Sequence, residues 1–178
     1  EFLQLQDPSP ETLLMNHFRF FAFPIVLICL QYISPGTGFG QEKIEAAQLN
    51  ELKADWNNPE FWQAADKNAA VDAWEFVDGE IRLVQPQGGK GSLVSRSLPP
   101  NFELSFDWKI QAKTNTGLKY RVRKYGSKYY GVEYQIIDDS PTASTKGSTA
   151  AIYDLSGPTV LKNLKPTGEW NTAKIVAD

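Results

Sequence analysis

Between Phe102 and Asp138 the chain alternates apolar and polar side chains through three consecutive segments with hardly a break. Phe102, Leu104, Phe106, Trp108 and Ile110 fall on one side, with Glu103, Ser105, Asp107 and Lys109 on the other. Leu118, Tyr120 and Val122 alternate with Lys119, Arg121 and Arg123, and Val132, Tyr134 and Ile136 alternate with Glu133 and Gln135. Successive side chains leave a β-strand on opposite faces, so a period of two means half-buried strands. Three of them joined by short polar loops predict an antiparallel meander. Its apolar face must be covered. Its other face gathers carboxylates, an amide, a lysine and two arginines, an inventory suited to a sugar-binding or catalytic floor.

At 178 residues the chain has room for one domain with a sizeable core. Its net charge of −3 leaves no footprint for nucleic acid. The local basic stretch Lys113, Lys119, Arg121, Arg123, Lys124 and Lys128 reads as a solvated strand face whose field acidic neighbours cancel. The single histidine, His17, and the single cysteine, Cys29, both lie near the N-terminus. From Gln41 onward there is no thiol and no imidazole. Disulfides, cysteine-based zinc sites and Ser-His-Asp or Cys-His triads are therefore excluded from that part of the chain. An enzyme built from it must use carboxylates, Lys, Tyr, Arg or an oxygen-ligated metal.

The N-terminal region predicts processing. Residues 1–14 read as upstream sequence to be set aside from the fold. Residues 15–40 read as a signal peptide: Asn16 to Arg19 is a short positive region, Phe20 to Leu30 is uncharged and apolar, and Ser34 to Gly40 is small and turn-rich ahead of a cut before Gln41. The apolar run has the length of a signal core rather than a membrane span, and Pro24 opposes a transmembrane helix. The expected location is secreted, periplasmic or cell-envelope, with a membrane role only through an uncleaved signal segment.

Residues 41–55 predict a linker or short helix with a thin apolar face. Asn57-Asn58-Pro59 breaks it. Phe61, Trp62, Trp74 and Phe76 suit core packing. Trp74 to Val84 predicts a hairpin around Asp78-Gly79. The Gly-rich stretch Gln85 to Ser92 lacks the spacing and strand-to-helix setting of a phosphate loop. Leu93 to Leu98 predicts a strand stopped by Pro99-Pro100, Ala150 to Leu155 a strand or extended edge, and Trp170 to Ala177 a last strand. Many short strands with little helix predict an all-β fold, an antiparallel sandwich or jelly roll over residues 56–178. The last predicted strand runs to Asp178 without a following turn, which reads as a sandwich truncated at its C-terminus and short of a strand pair.

Four stretches carry a resemblance. Asn115-Thr116-Gly117 is followed four residues after the glycine by Arg121. Gly131-Val132-Glu133-Tyr134-Gln135-Ile136-Ile137-Asp138, Thr149-Ala150-Ala151-Ile152-Tyr153-Asp154 and Gly168-Glu169-Trp170-Asn171 come after it in order. Together they resemble the 3-keto-disaccharide hydrolase domain family, from about Trp56 to Asp178. The family's Asn-Gly-Lys turn has no counterpart around Asn57 to Asn68, nor does its late Trp-Leu-Asn-Gly hairpin. The resemblance implies a concanavalin A-like jelly roll, exported by bacteria and acting on carbohydrate.

On that basis Glu133 is the candidate base, removing the acidified C2 hydrogen of a 3-keto sugar. Arg121 and Lys119 are the candidate cations for the resulting enolate oxygen. Asn115, Gln135 and Tyr153 are expected to bind substrate. Glu133 and Gln135 share a strand face about 6.6 Å apart, with Arg121 and Lys119 in cross-strand reach. From alternation alone, Glu133 reads first as a surface carboxylate paired with Arg121. Asp138 and Asp139 read as turn residues or as oxygen ligands for a divalent cation such as Ca²⁺. The alternative to an enzyme is a lectin-like glycan-binding module using the same surface.

Overall fold

The computed structural model describes residues 13–22, 26–31, 58–65, 74–84, 92–95, 101–160 and 162–177, and within 13–31 it describes only the Arg19 side chain. Strands run through these residues in the order β1 (Leu13–Ala22), β2 (Val26–Gln31), β3 (Trp62–Ala64), β4 (Trp74–Val77), β5 (Glu80–Leu83), β6 (Leu93–Ser95), β7 (Phe102–Ile110), β8 (Asn115–Tyr125), β9 (Lys128–Ile137) and β10 (Asn171–Ala177). They form two sheets, ordered β10-β7-β1-β5-β4 and β3-β6-β2-β8-β9. A 3-10 turn, Pro59–Phe61, precedes β3, with Asn58 Oδ1 accepting from the Glu60 amide at 3.0 Å. No helix among the described residues is long and apolar enough to cross a membrane.

The alternation of β7 buries Phe102, Leu104, Phe106, Trp108 and Ile110, each 4% exposed or less. These side chains meet Leu118 and Ile136 of the opposite sheet in one core, with Tyr120 and Tyr134 packed against it. The Phe102 and Tyr120 rings meet edge-on at 6.1 Å, and Phe106 and Tyr134 at 5.6 Å, a favoured aromatic geometry. Burial pushes the Tyr134 hydroxyl up to about 12. Val132 holds the expected parity, half-buried opposite Tyr120. The β4–β5 hairpin turns on Asp78 and Gly79 at φ 52 and 76, the left-handed pair that a tight hairpin turn demands. The predicted all-β sandwich is what the chain forms.

Three features depart from the sequence reading. The first concerns the stretch taken as upstream sequence and signal peptide. It supplies β1, between β5 and β7, and β2, between β6 and β8, each parallel to both neighbours. All the other strand pairs among the described residues are antiparallel. The sandwich therefore draws on residues well before 56. An uncharged apolar run is compatible both with a signal core and with a strand buried on both faces, and periodicity cannot separate the two. Arg19, assigned to the positive end of a signal, lies 3.1 Å from the buried Asp107 carboxylate.

The second departure is in β8. Its register against β9 shifts between Tyr120, opposite Val132, and Arg123, opposite Tyr130. Arg121 occupies this bulge at φ 52. Gly131 lies across from it, where a Cβ would sit 2.7 Å from the Tyr120 carbonyl oxygen and 2.8 Å from Val122 Cγ2. An extra residue reverses the parity that follows. Val122 accordingly leaves the Leu118–Tyr120 face and is buried with Val94 in a second, small cluster.

Third, Ala150 to Leu155 is a knot of turns rather than a strand, bridged to β9 at Tyr134 and Ile152. Ala150 and Asp154 have φ of 67 and 60, which breaks any extended run. The expected helix in 41–55 and the Gly-rich loop lie outside the described residues, apart from Ser92.

Candidate functional site

β8 and β9 pair antiparallel, and the face turned away from the core carries the candidate residues. Cross-strand pairing sets Lys119 opposite Glu133 and Gly117 opposite Gln135. The Lys119 ammonium lies 3.5 Å from Glu133 Oε2, and both side chains are mostly covered, 22% and 15% exposed. Burial pushes the Glu133 carboxyl above its ordinary range, and Lys119 pulls it part of the way back. A half-buried carboxylate with a raised pKa beside one cation has the properties of a general base or acid.

Gly117 gives that carboxylate its place. A Cβ at 117 would lie 2.5 Å from Glu133 Oε1 and 2.9 Å from its Cγ, so the Glu133 side chain lies over bare backbone. Sequence reasoning passed over this role. The available signal was a glycine inside a predicted strand, which marks close approach.

Gln135 is only 2% exposed, and its amide donates to Asn115 Oδ1 at 2.9 Å. Its backbone is clamped by the turn segment: Gln135 N donates to the Ala151 carbonyl, and Ala150 N to the Gln135 carbonyl. Gln135 thus ties Asn115 to β9 from beneath the site, while Asn115 remains exposed. The same segment brings Tyr153, whose amide donates to the Glu133 carbonyl at 3.0 Å and whose side chain is 49% exposed. Thr149 fastens it further, its hydroxyl accepting from Ile137 N and donating to Ile137 O.

Two predicted residues stand elsewhere. The bulge carries Arg121 out of the expected cross-strand pairing with Glu133, and its guanidinium reaches Asn101 Oδ1 at 3.5 Å, ahead of β7 in the other sheet. Asp138 uses both carboxylate oxygens on neighbouring loops. Oδ2 accepts from Lys113 N at 2.7 Å and Oδ1 from Thr167 Oγ1 at 2.9 Å. The hydrogen bonds, that from Lys113 N foremost, hold its carboxyl below the usual range. Among the described residues no three Asp, Glu, His or Cys side chains are grouped to hold a metal ion, and Asp138 is committed as a loop tie.

Three comparisons bear on this surface. The profile of the 3-keto-alpha-glucoside-1,2-lyase-like domain matches residues 52–178. Over 139 residues the chain is 30% identical to a Bacteroides thetaiotaomicron protein named 3-keto-disaccharide hydrolase, across 65% of this chain and 48% of that protein. The chain thus spans about half the length of that relative. A crystal structure of a candidate glycosyl hydrolase from Parabacteroides distasonis superposes with a TM-score of 0.50 at 24% identity, covering 68% of this chain and 67% of the other. At that identity the likeness speaks for the β-sandwich alone.

Proposed function

Because the chain belongs to the family of 3-keto-alpha-glucoside-1,2-lyase-like domains, we propose that it is a carbohydrate-active domain that cleaves 3-keto-glycosides with Glu133 as the base. The observation that carries this reading is the half-buried Glu133 carboxylate, seated over Gly117 with Lys119 at 3.5 Å. A ketone at C3 acidifies the hydrogen on C2. Glu133 takes that proton, and the electron pair delocalises into the ketone as an enolate. The Lys119 ammonium faces the negative charge as it develops, and stabilisation that grows toward the transition state is what accelerates the step. Collapse of the enolate forms the C1–C2 double bond and breaks the bond from C1 to the glycosidic oxygen. The leaving oxygen takes a proton from solvent water, and the aglycone departs without an oxocarbenium ion. Exposed Tyr153 and Asn115 flank the base and supply a face and a hydrogen-bonding edge for the sugar.

Incubation with a 3-keto-glucoside and with its parent glucoside tests this. The 3-keto compound should release aglycone and the parent should not. Glu133→Gln should lower release by about 10²–10⁴-fold while sugar binding persists, since the amide keeps shape and reach but cannot take a proton. Full activity of that variant removes Glu133 from the mechanism. Sugar binding by the wild type without turnover would establish the lectin-like alternative.

Export is also proposed, on the composition of residues 15–40. Expression from Met15 in a bacterial host should give a mature N-terminus near Gln41, and an intact N-terminus in the cytoplasm would refute it. Cleavage there would remove β1 and β2, so the same experiment reports whether the sandwich persists without them.

A further inference from the structure

The strand β9 is the last of its sheet, and residues 149–153 run along its outer edge. Their bonds follow the strand in order. The Thr149 hydroxyl joins Ile137, Ala150 and Ala151 join Gln135, and the Tyr153 amide joins the Glu133 carbonyl. This strip does not hold itself in place. Ala150 sits at φ 67, a left-handed backbone that a residue with a Cβ adopts only at a cost. Such a conformation persists where the surrounding structure imposes it.

The restraint lies one residue earlier. Asp139 Oδ2 accepts from Thr149 N at 2.9 Å and from the Lys162 ammonium at 2.8 Å. Asp139 follows the end of β9, Thr149 opens the strip, and Lys162 comes from the chain beyond it, so one carboxylate joins three segments. The pair is buried, with the Lys162 side chain 4% exposed and that of Asp139 14%. Asp139 Oδ1 is buried too, without a hydrogen-bond partner among the described residues. Taking two charges out of water costs much of what their attraction returns, and apolar residues in their place are often as stable or more so. Stability alone is therefore a poor reason for this pair. What it fixes is the position of Thr149 and of the strip that follows.

We infer that Asp139 and Lys162 are positioning residues: their ion pair pins Thr149 and thereby sets Tyr153 beside Glu133. The inference rests on the reading of that face as the site of 3-keto-glycoside cleavage. Glu133 itself is seated by Gly117 and Lys119 of β8, so the pair governs how the sugar is held and not how its proton is taken. The double variant Asp139→Leu/Lys162→Met of the full chain tests this. It removes both charges together and should leave the protein folded. Its KM for a 3-keto-glucoside should rise about 3- to 10-fold, the worth of one hydrogen bond to the sugar. Its kcat should be unchanged, the sign of lost binding rather than lost chemistry. Adding Tyr153→Ala to it should raise KM no further, because residues that act through one another are not additive. A folded double variant with the wild-type KM, a loss of kcat instead, or a further rise with Tyr153→Ala overturns the inference. A wild type that releases no aglycone defeats the reading of Glu133, and the same comparison then passes to the Kd for the parent glucoside. A wild type that binds no sugar overturns both. If the double variant does not fold, amide exchange in the wild type decides: Thr149 and Tyr153 should open together as one segment, and separate opening overturns the tie.

Discussion

The Glu133 carboxylate lies on the backbone of Gly117 because nothing projects from that residue. Gly117→Ala should therefore act on the carboxylate before it acts on the fold. Gly117 has no left-handed backbone for a side chain to strain, but an added Cβ would also sit 3.0 Å from the Tyr134 carbonyl oxygen, so the variant should lose about 1–3 kcal/mol in a urea titration, the usual cost of overpacking. Its release of aglycone should fall far more than that stability loss explains, because Glu133 Oε1 must move away. Burial gives Glu133 a second consequence. Its folded pKa is raised above the ordinary 4.5, so its contribution to stability is fully present below that value and is lost as pH rises through the folded one. At pH 7 the buried charge is a cost. Glu133→Gln should be at least as stable as the wild type there, with an advantage that shrinks as pH falls toward 4.5. Urea midpoints at both pH values measure it. A variant that is less stable at neutral pH would show that the Lys119 pair outweighs burial.

Asp138 joins elements rather than substrates: it links the turn between β7 and β8 to the loop before β10. Its carboxyl is depressed, so its stabilisation is present above its unfolded value and is lost as pH falls through the folded one. Asp138→Ala should lower the melting temperature at neutral pH and leave it unchanged in strong acid. The effect should be small, because the group is exposed and screened by solvent. At this scale much of the molecule was legible in its sequence. The alternation of β7 and β9 survived intact, and Asp78-Gly79 announced its own hairpin. Arg121 did not follow the pattern, because a bulge is one extra residue that leaves no mark on hydrophobic alternation until the partner strand is in place. The glycine facing the bulge, Gly131, was its only trace.

The central position of each sheet belongs to a strand from outside the family-matched residues. Take β1 away and β10-β7 loses its link to β5-β4; take β2 away and β3-β6 separates from β8-β9. A chain lacking residues 1–31 shows which use of that segment holds: association on a sizing column and ready cleavage by protease, as open edges template pairing between molecules, would mean that the folded domain keeps β1 and β2 and that export does not remove them. A monomeric, protease-resistant product would show that the remaining pairs close on each other. Sequence read the apolar N-terminal run by length and charge, and these do not distinguish a segment destined for a translocation channel from one destined for a sheet. The parallel pairing of β1 and β2 also has a consequence in time. Leu13 lies beside Phe102, and Val26 beside Thr116, partners roughly ninety residues later in synthesis. Strands made this much earlier than their partners are among the last to find their places, and contacts this distant along the chain form slowly. Until β7 and β8 exist, the most apolar part of the nascent chain stands open to whatever meets it first: a targeting factor, a chaperone or another copy of itself. For this protein the order of synthesis leaves an interval in which its destination can be decided before its fold is.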